Sequence, residues 1–134
     1  VSYFDLTEVE TKDPSELLNF ISVQIVYGEM NIATCMNPEI GIWLGNVFQP
    51  EGGTGSDPLW AIEHIPETGT HGKFRLYRGD DIDGTEENSV YDADEVVDAL
   101  IKAFHNYKTH FPDHQTTVDE ILKLMPQYRE KLRT

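Results

Sequence analysis

Only one cysteine, Cys35, occurs in 134 residues. A lone thiol excludes an internal disulfide framework and a thiolate cluster for zinc or iron–sulfur binding, and a reducing compartment is the simpler expectation. Basic residues are scarce over long stretches. Residues 1–72 contain eleven acids and one base, Lys12, and no Lys or Arg lies between Arg78 and Lys102. No apolar run approaches the ~20 residues that span a bilayer, and the opening Val1-Ser2-Tyr3-Phe4-Asp5 has no basic leader, so the expectation is either a cytoplasmic protein without a membrane partner or a chain from which a leading segment has been removed. Twenty-four Asp and Glu against ten Lys and Arg give a net charge of -14. Such a field disfavours DNA, RNA and anionic membranes and favours rapid capture of a basic partner.

The composition is that of a folded protein. Hydrophobic residues make up 39%, with two Trp, six Tyr and six Phe, so the charge belongs to a folded surface rather than a disordered acidic tail. The length suits a single domain, residues 1–134, able to bury a core without metal or disulfide staples. Residues 3–9 read as a short strand, and Asp13-Pro14-Ser15-Glu16 as the start of a helix. Leu17, Leu18 and Ile21 share a helical face, while the β-branched Val23, Ile25 and Val26 place a switch to strand near Ser22 or Val23. Strands are expected at Met30–Met36, Ile40–Phe48, Leu59–Ile65 and Lys73–Arg78, with a mobile Gly- and Pro-rich loop over residues 49–58. Asp92-Ala93-Asp94-Glu95 reads as a capping box for an amphipathic helix through Val96, Val97, Leu100, Ile101, Phe104 and Tyr107. A second box, Thr117-Val118-Asp119-Glu120, opens another helix that Pro126 breaks or restarts. The fold class is therefore α+β, an antiparallel sheet of about four to six strands packed with an N-terminal helix and C-terminal helices.

The densest charge lies in residues 80–98, where nine carboxylates occur without a cation. Asp81-Ile82-Asp83-Gly84 imitates part of a calcium loop, but aligning Gly84 at loop position six puts Gly79 first and Val90 last. Both terminal ligands are then missing. Asp92, Asp94 and Glu95 suit the positive end of a helix dipole whatever the function, which leaves Asp80, Asp81, Asp83, Glu86 and Glu87 without a structural explanation. His105, His110 and His114 invite a metal, yet Pro112 argues against one helix carrying His110 and His114 together, and cysteine ligands are absent. No metal or cofactor is expected. Gly52-Gly53-Thr54-Gly55 lacks the following Lys-Ser/Thr of a phosphate loop, Ser56 lies outside a nucleophile elbow, and Cys35 has no local catalytic signature. Trp43 and Trp60 fall in predicted strands, where large aromatics complete cores.

The order of parts carries more than any one motif. A helix at Pro14–Ile21 precedes Met30-Asn31-Ile32-Ala33 and Ile40-Gly41-Ile42-Trp43-Leu44 as paired strands, then the Gly-rich loop and two more strands. Ser89-Val90-Tyr91-Asp92-Ala93-Asp94-Glu95-Val96-Val97 opens the long helix, which leads through Ala103-Phe104-His105-Asn106-Tyr107 to Phe111-Pro112 and Thr117-Val118-Asp119-Glu120-Ile121-Leu122. Over residues 10–122 this order resembles the small immunity proteins of bacterial contact-dependent and polymorphic toxin systems, nearest to the family paired with deaminase-type toxins. The resemblance implies a non-enzymatic cytoplasmic protein that covers the active site of a cognate basic toxin domain. Asp80, Asp81, Asp83, Glu86 and Glu87, expected in a loop between a strand and a helix, would supply the charge, and Tyr77, Tyr91 or Trp60 an aromatic anchor. Two other readings stay open: a small acidic hydrolase pairing a carboxylate with His64, His71 or His110, and an acidic module that mimics nucleic acid.

Overall fold

The computed structural model describes residues 16–49, 53–56, 60–79 and 86–132. The expected strand at residues 3–9 and the helix cap at Asp13 and Pro14 lie outside them. Helix α1 is Glu16–Ala33 and α2 is Ile42–Phe48; strands β1 Gly53–Ser56, β2 Trp60–Ile65, β3 Lys73–Gly79 and β4 Glu86–Asp92 follow. Helix α3, Ala93–His110, is joined through a 3-10 turn at Pro112–His114 to α4, Gln115–Leu132. The strands form one antiparallel meander in the order β1-β2-β3-β4, with helices packed against it: an α+β architecture.

Two expected strands are helices instead. Met30–Ala33 is the last turn of α1, and Ile42–Phe48 is α2. No switch to strand occurs at Ser22 or Val23, because α1 runs through the centre of the protein. Leu17, Leu18, Ile21, Ser22, Val23, Ile25, Val26, Glu29 and Met30 are all buried along it. The modest helix penalty of Val and Ile, up to ~0.7 kcal/mol per residue, is outweighed by burying those side chains, at about 1.5–3 kcal/mol each. A helix buried on several sides also has no polar stripe to give its period away.

Alternation in β2 and β3 sets the sheet's two faces. Trp60, Ile62, His64, Phe74 and Leu76 face the helices and are buried, while Glu63, Lys73 and Arg75 are exposed on the other side. The pairing is continuous from Lys73↔Asp92 to Gly79↔Glu86 and from Trp60↔Arg78 to Ile65↔Lys73. The expected loop at residues 49–58 contains β1, which pairs Gly53 to Ser56 with Glu63 to Trp60. The acidic segment contributes β4, a strand supported by its seven-residue match to β3 rather than by its own propensity.

Helix α3 begins at Ala93 with Asp92 at the N-cap, as the capping pattern predicts, but the Asp92 side chain makes no capping bond. The Ala93 amide donates instead to the Gly72 carbonyl at 3.0 Å, tying the helix start to the β2–β3 turn. Gly72 has φ +87°, and a Cβ there would meet the Ile65 carbonyl at 2.8 Å and His64 Nε2 at 2.9 Å. Helix α4 starts before the predicted Thr117 box because the 3-10 turn leads directly into Gln115, and it continues through the exposed Pro126 without a break. Helices α1, α3 and α4 and the inner sheet face share one core containing Ile21, Ile25, Phe74, Leu100, Phe104 and Ile121.

Candidate functional site

Asp80, Asp81 and Asp83 lie outside the described residues. Glu86 and Glu87 are the first two residues of β4 and pair in register with Gly79 and Arg78, so they belong to a strand and not to the loop that the sequence suggests. Tyr77 lies opposite Asn88, and Tyr91 opposite Phe74; both tyrosines are half-buried. Trp60 is 5% exposed and packs against Trp43 at a ring separation of 6.0 Å. Its indole belongs to the core, because the inward register of β2 and the adjacent α2 enclose it, and it is not available as a surface anchor. Trp43 itself sits on α2, over Gly28 of α1, where a Cβ would come within 2.6 Å of the indole.

The charged side chains fall into two groups, and their arrangement explains the character of the surface. Most cations are occupied locally. Lys73 lies 3.9 Å from Glu67, Arg75 lies 3.5 Å from Glu63, and Lys108 lies 2.9 Å from Asp119. Arg78 stacks over the Phe20 ring at 4.8 Å, and Lys131 lies 5.8 Å from the centre of the Tyr128 ring. Arg129 of α4 reaches two acids of α3, Asp98 at 2.5 Å and Asp94 at 3.6 Å. Among the described residues, exposed Glu39, Asp92, Glu95, Asp113, Glu120 and Glu130 form no ion pair. The surplus charge is therefore presented to solvent, while Arg75, Lys108 and Arg129 join elements.

Asp94 also meets His71. The imidazole Nδ1 is 3.1 Å from Asp94 Oδ1, and the two line a groove of about 350 Å³ with Glu67, Lys73, Asp92 and Glu95. The groove is the strongest candidate for chemistry, since a histidine oriented by a carboxylate is the arrangement of a general base. The remaining ring nitrogen, Nε2, is buried and has no hydrogen-bond partner. A base must present that atom to substrate, so the pair in this conformation is a link between the β2–β3 turn and α3.

The other histidines are separated. His64 is 2% exposed, stacks on Phe74 at 4.9 Å, and its Nδ1 lies 3.0 Å from the Gln49 carbonyl. Since a carbonyl only accepts, Nδ1 carries the proton in that bond. His114 Nδ1 lies 3.0 Å from the Tyr107 hydroxyl, within a stack in which Tyr107 and Phe111 rings are 4.5 Å apart. Burial raises the Tyr107 phenol above its ordinary 10.0. His105 is exposed and His110 half-exposed, and among the described residues no group of three His, Cys, Asp or Glu could hold a metal ion. Phe111 and Pro112 thus shape a packed helix–helix corner.

One buried acid was invisible to motif reading. Glu29 is fully buried in α1, and its carboxylate accepts from the Gly41 amide at 2.8 Å and the Leu44 amide at 3.2 Å. It caps α2 from another helix, satisfying amides that a local side chain would normally serve. The Tyr128 hydroxyl donates to the Gly41 carbonyl at 3.5 Å. Its phenol is raised above 10.0, first by burial and second by the negative charge of Glu29. No described helix is long and apolar enough to cross a membrane. Compared with family models, curated proteins and solved structures, the chain matches none.

Proposed function

We propose that this protein is an immunity-type inhibitor: it binds a cognate basic toxin domain in the cytoplasm and covers that domain's active site without catalysing a reaction. The observation that carries this reading is the disposition of charge. A net charge of -14 is combined with four described cations, Lys73, Arg75, Lys108 and Arg129, held in internal pairs, leaving six exposed, unpaired acids among the described residues. A toxin that acts on nucleic acid needs a cationic cleft for phosphates, and an anionic surface competes for the same cations. Long-range attraction speeds the encounter, which a producing cell needs if inhibition is to precede damage. The acids at positions 80, 81, 83, 86 and 87, with Tyr77 and Tyr91, remain the proposed contact region. Co-expression with the product of the neighbouring gene tests the proposal. A co-purifying complex and lost toxicity are expected; unchanged toxicity with no complex would reject it.

The His71–Asp94 pair favours one alternative, a small hydrolase using that histidine as base. On that reading His71→Gln abolishes turnover of an ester or phosphoester substrate while the fold is retained. On the inhibitor reading the purified chain turns over neither, and the covered Nε2 supports the latter.

A further inference from the structure

We infer that His64 is an acid-sensitive clasp: its neutral ring holds the end of α2, the β2–β3 turn and the start of α3 together, and a proton on that ring opens the junction. The inference is independent of the partner proposed above.

His64 lies in β2 with its ring inside the protein, 2% exposed and stacked on Phe74. Its two nitrogens meet different surroundings. Nδ1 donates to the carbonyl of Gln49, the residue that ends α2. Nε2 is buried and has no hydrogen-bond partner. Gly72 stands beside it, so close that an added Cβ would lie 2.9 Å from Nε2. Gly72 is itself fixed, because its amide donates to Thr70 Oγ1 at 3.0 Å and its carbonyl accepts from Ala93, the first residue of α3. Asp92 and Glu95, two of the exposed unpaired acids, flank that helix start.

A neutral imidazole offers one donor and one acceptor, and only the donor is used here. Protonation turns Nε2 into a second donor. In the closed protein that N–H has no acceptor, whereas in an opened turn it bonds to water, and a buried charged donor left unpaired is costly. Opening is therefore favoured as pH falls through the histidine range. Neighbouring charge does not cancel the effect. α2 contains no ionisable side chain, and Glu29 of α1 is engaged by the Gly41 and Leu44 amides. Tyr128, behind Phe48, is neutral in acid because its phenol is raised above 10.0. Around the turn, Glu67 meets Lys73 and His71 meets Asp94. Among the described residues none of these groups pairs with His64.

The test is amide hydrogen exchange of the full chain at two pH values, corrected for the intrinsic pH dependence of exchange. It compares His71→Gln, which removes the neighbouring histidine, with the double variant His71→Gln, His64→Asn. Asparagine keeps a donor near the position of Nδ1 and does not titrate. Between pH about 7.5 and about 5.5, the Ala93 amide of the first chain is expected to lose roughly tenfold in protection, since the lower value lies about one unit below the ordinary histidine value of about 6.5. Leu100 and Phe104, farther along α3, should keep theirs, and the double variant should show no loss at Ala93. Equal loss along the whole of α3, no loss at Ala93, or the same loss in the double variant overturns the inference. Nitrogen NMR of the unmodified chain at neutral pH provides a second reading should the double variant fail to fold. A proton on His64 Nδ1 and none on Nε2 is expected; a proton on Nε2 overturns the clasp.

Discussion

Helices α1 and α3 are each eighteen residues long, yet they stand in opposite relations to water. In α3, Ala93, Val96, Val97, Leu100, Ala103, Phe104 and Tyr107 form a buried stripe, while Asp94, Glu95, Asp98, Lys102 and His105 are exposed. In α1 the buried positions go around the axis and include Asn19, Ser22 and Glu29. A helical period is written in a sequence only where one side of the helix meets solvent. α3 therefore declares itself, and α1, enclosed by the other elements, looks like a short helix followed by a β-branched strand.

The sharpest way to test that contrast is truncation. Ile25→Ala on α1 should cost about 2–5 kcal/mol, because a fully buried side chain leaves a cavity. The matched change on the exposed side of α3, His105→Ala, should stay within about 0.5 kcal/mol. Chemical denaturation of both variants measures the pair, and equal losses would show that α1 is not the central helix described. Next in size is Glu29→Ala, expected to cost about 2–4 kcal/mol because the Gly41 and Leu44 amides lose a charged acceptor in a buried place. Exchange at those two amides should accelerate more than elsewhere in α2.

Much smaller effects are expected on the solvent side of α3. A double-mutant cycle between Arg129 and Asp98 should give below about 1 kcal/mol, decreasing with salt, since both side chains are substantially exposed. A coupling that is large and independent of salt would mean that this side is not governed by water. The smallest effect is alkaline. Tyr107 and Tyr128 have folded pKa values above 10.0, so between 10 and those values the unfolded chain has released protons that the folded chain still holds. Their stability contribution is full below pH about 10 and is lost as pH rises through the folded values. Tyr128→Phe should flatten part of that decline in thermal melts, and an unchanged slope would remove Tyr128 as a contributor.

Legibility of the remaining elements follows the same rule. β3 was readable because Lys73 to Arg78 alternates between solvent and core, and β2 was readable within a residue. β4 was not, because Glu86-Glu87-Asn88-Ser89-Val90-Tyr91-Asp92 has little strand preference and is held by pairing with a segment reached only in the fold. β1 hid among glycines for the same reason. α2 is an aromatic and β-branched run interrupted by Gly45, and its cap comes from Glu29, twelve residues before Gly41. At the candidate site, composition revealed the sign of the surface. The sequence did not reveal that His71 and Arg129 converge on Asp94, which joins a turn and two helices at separations no local motif spans.

On the proposed function, the unpaired acidic surface inhibits a basic toxin by occupying its substrate cleft. The most direct measurement is the rate at which the purified product of the neighbouring gene attacks its nucleic-acid substrate, titrated with this protein at low and high salt. Full inhibition at one equivalent is expected, competitive with substrate and with an association rate that falls as salt rises. Unimpaired activity at excess inhibitor would contradict it.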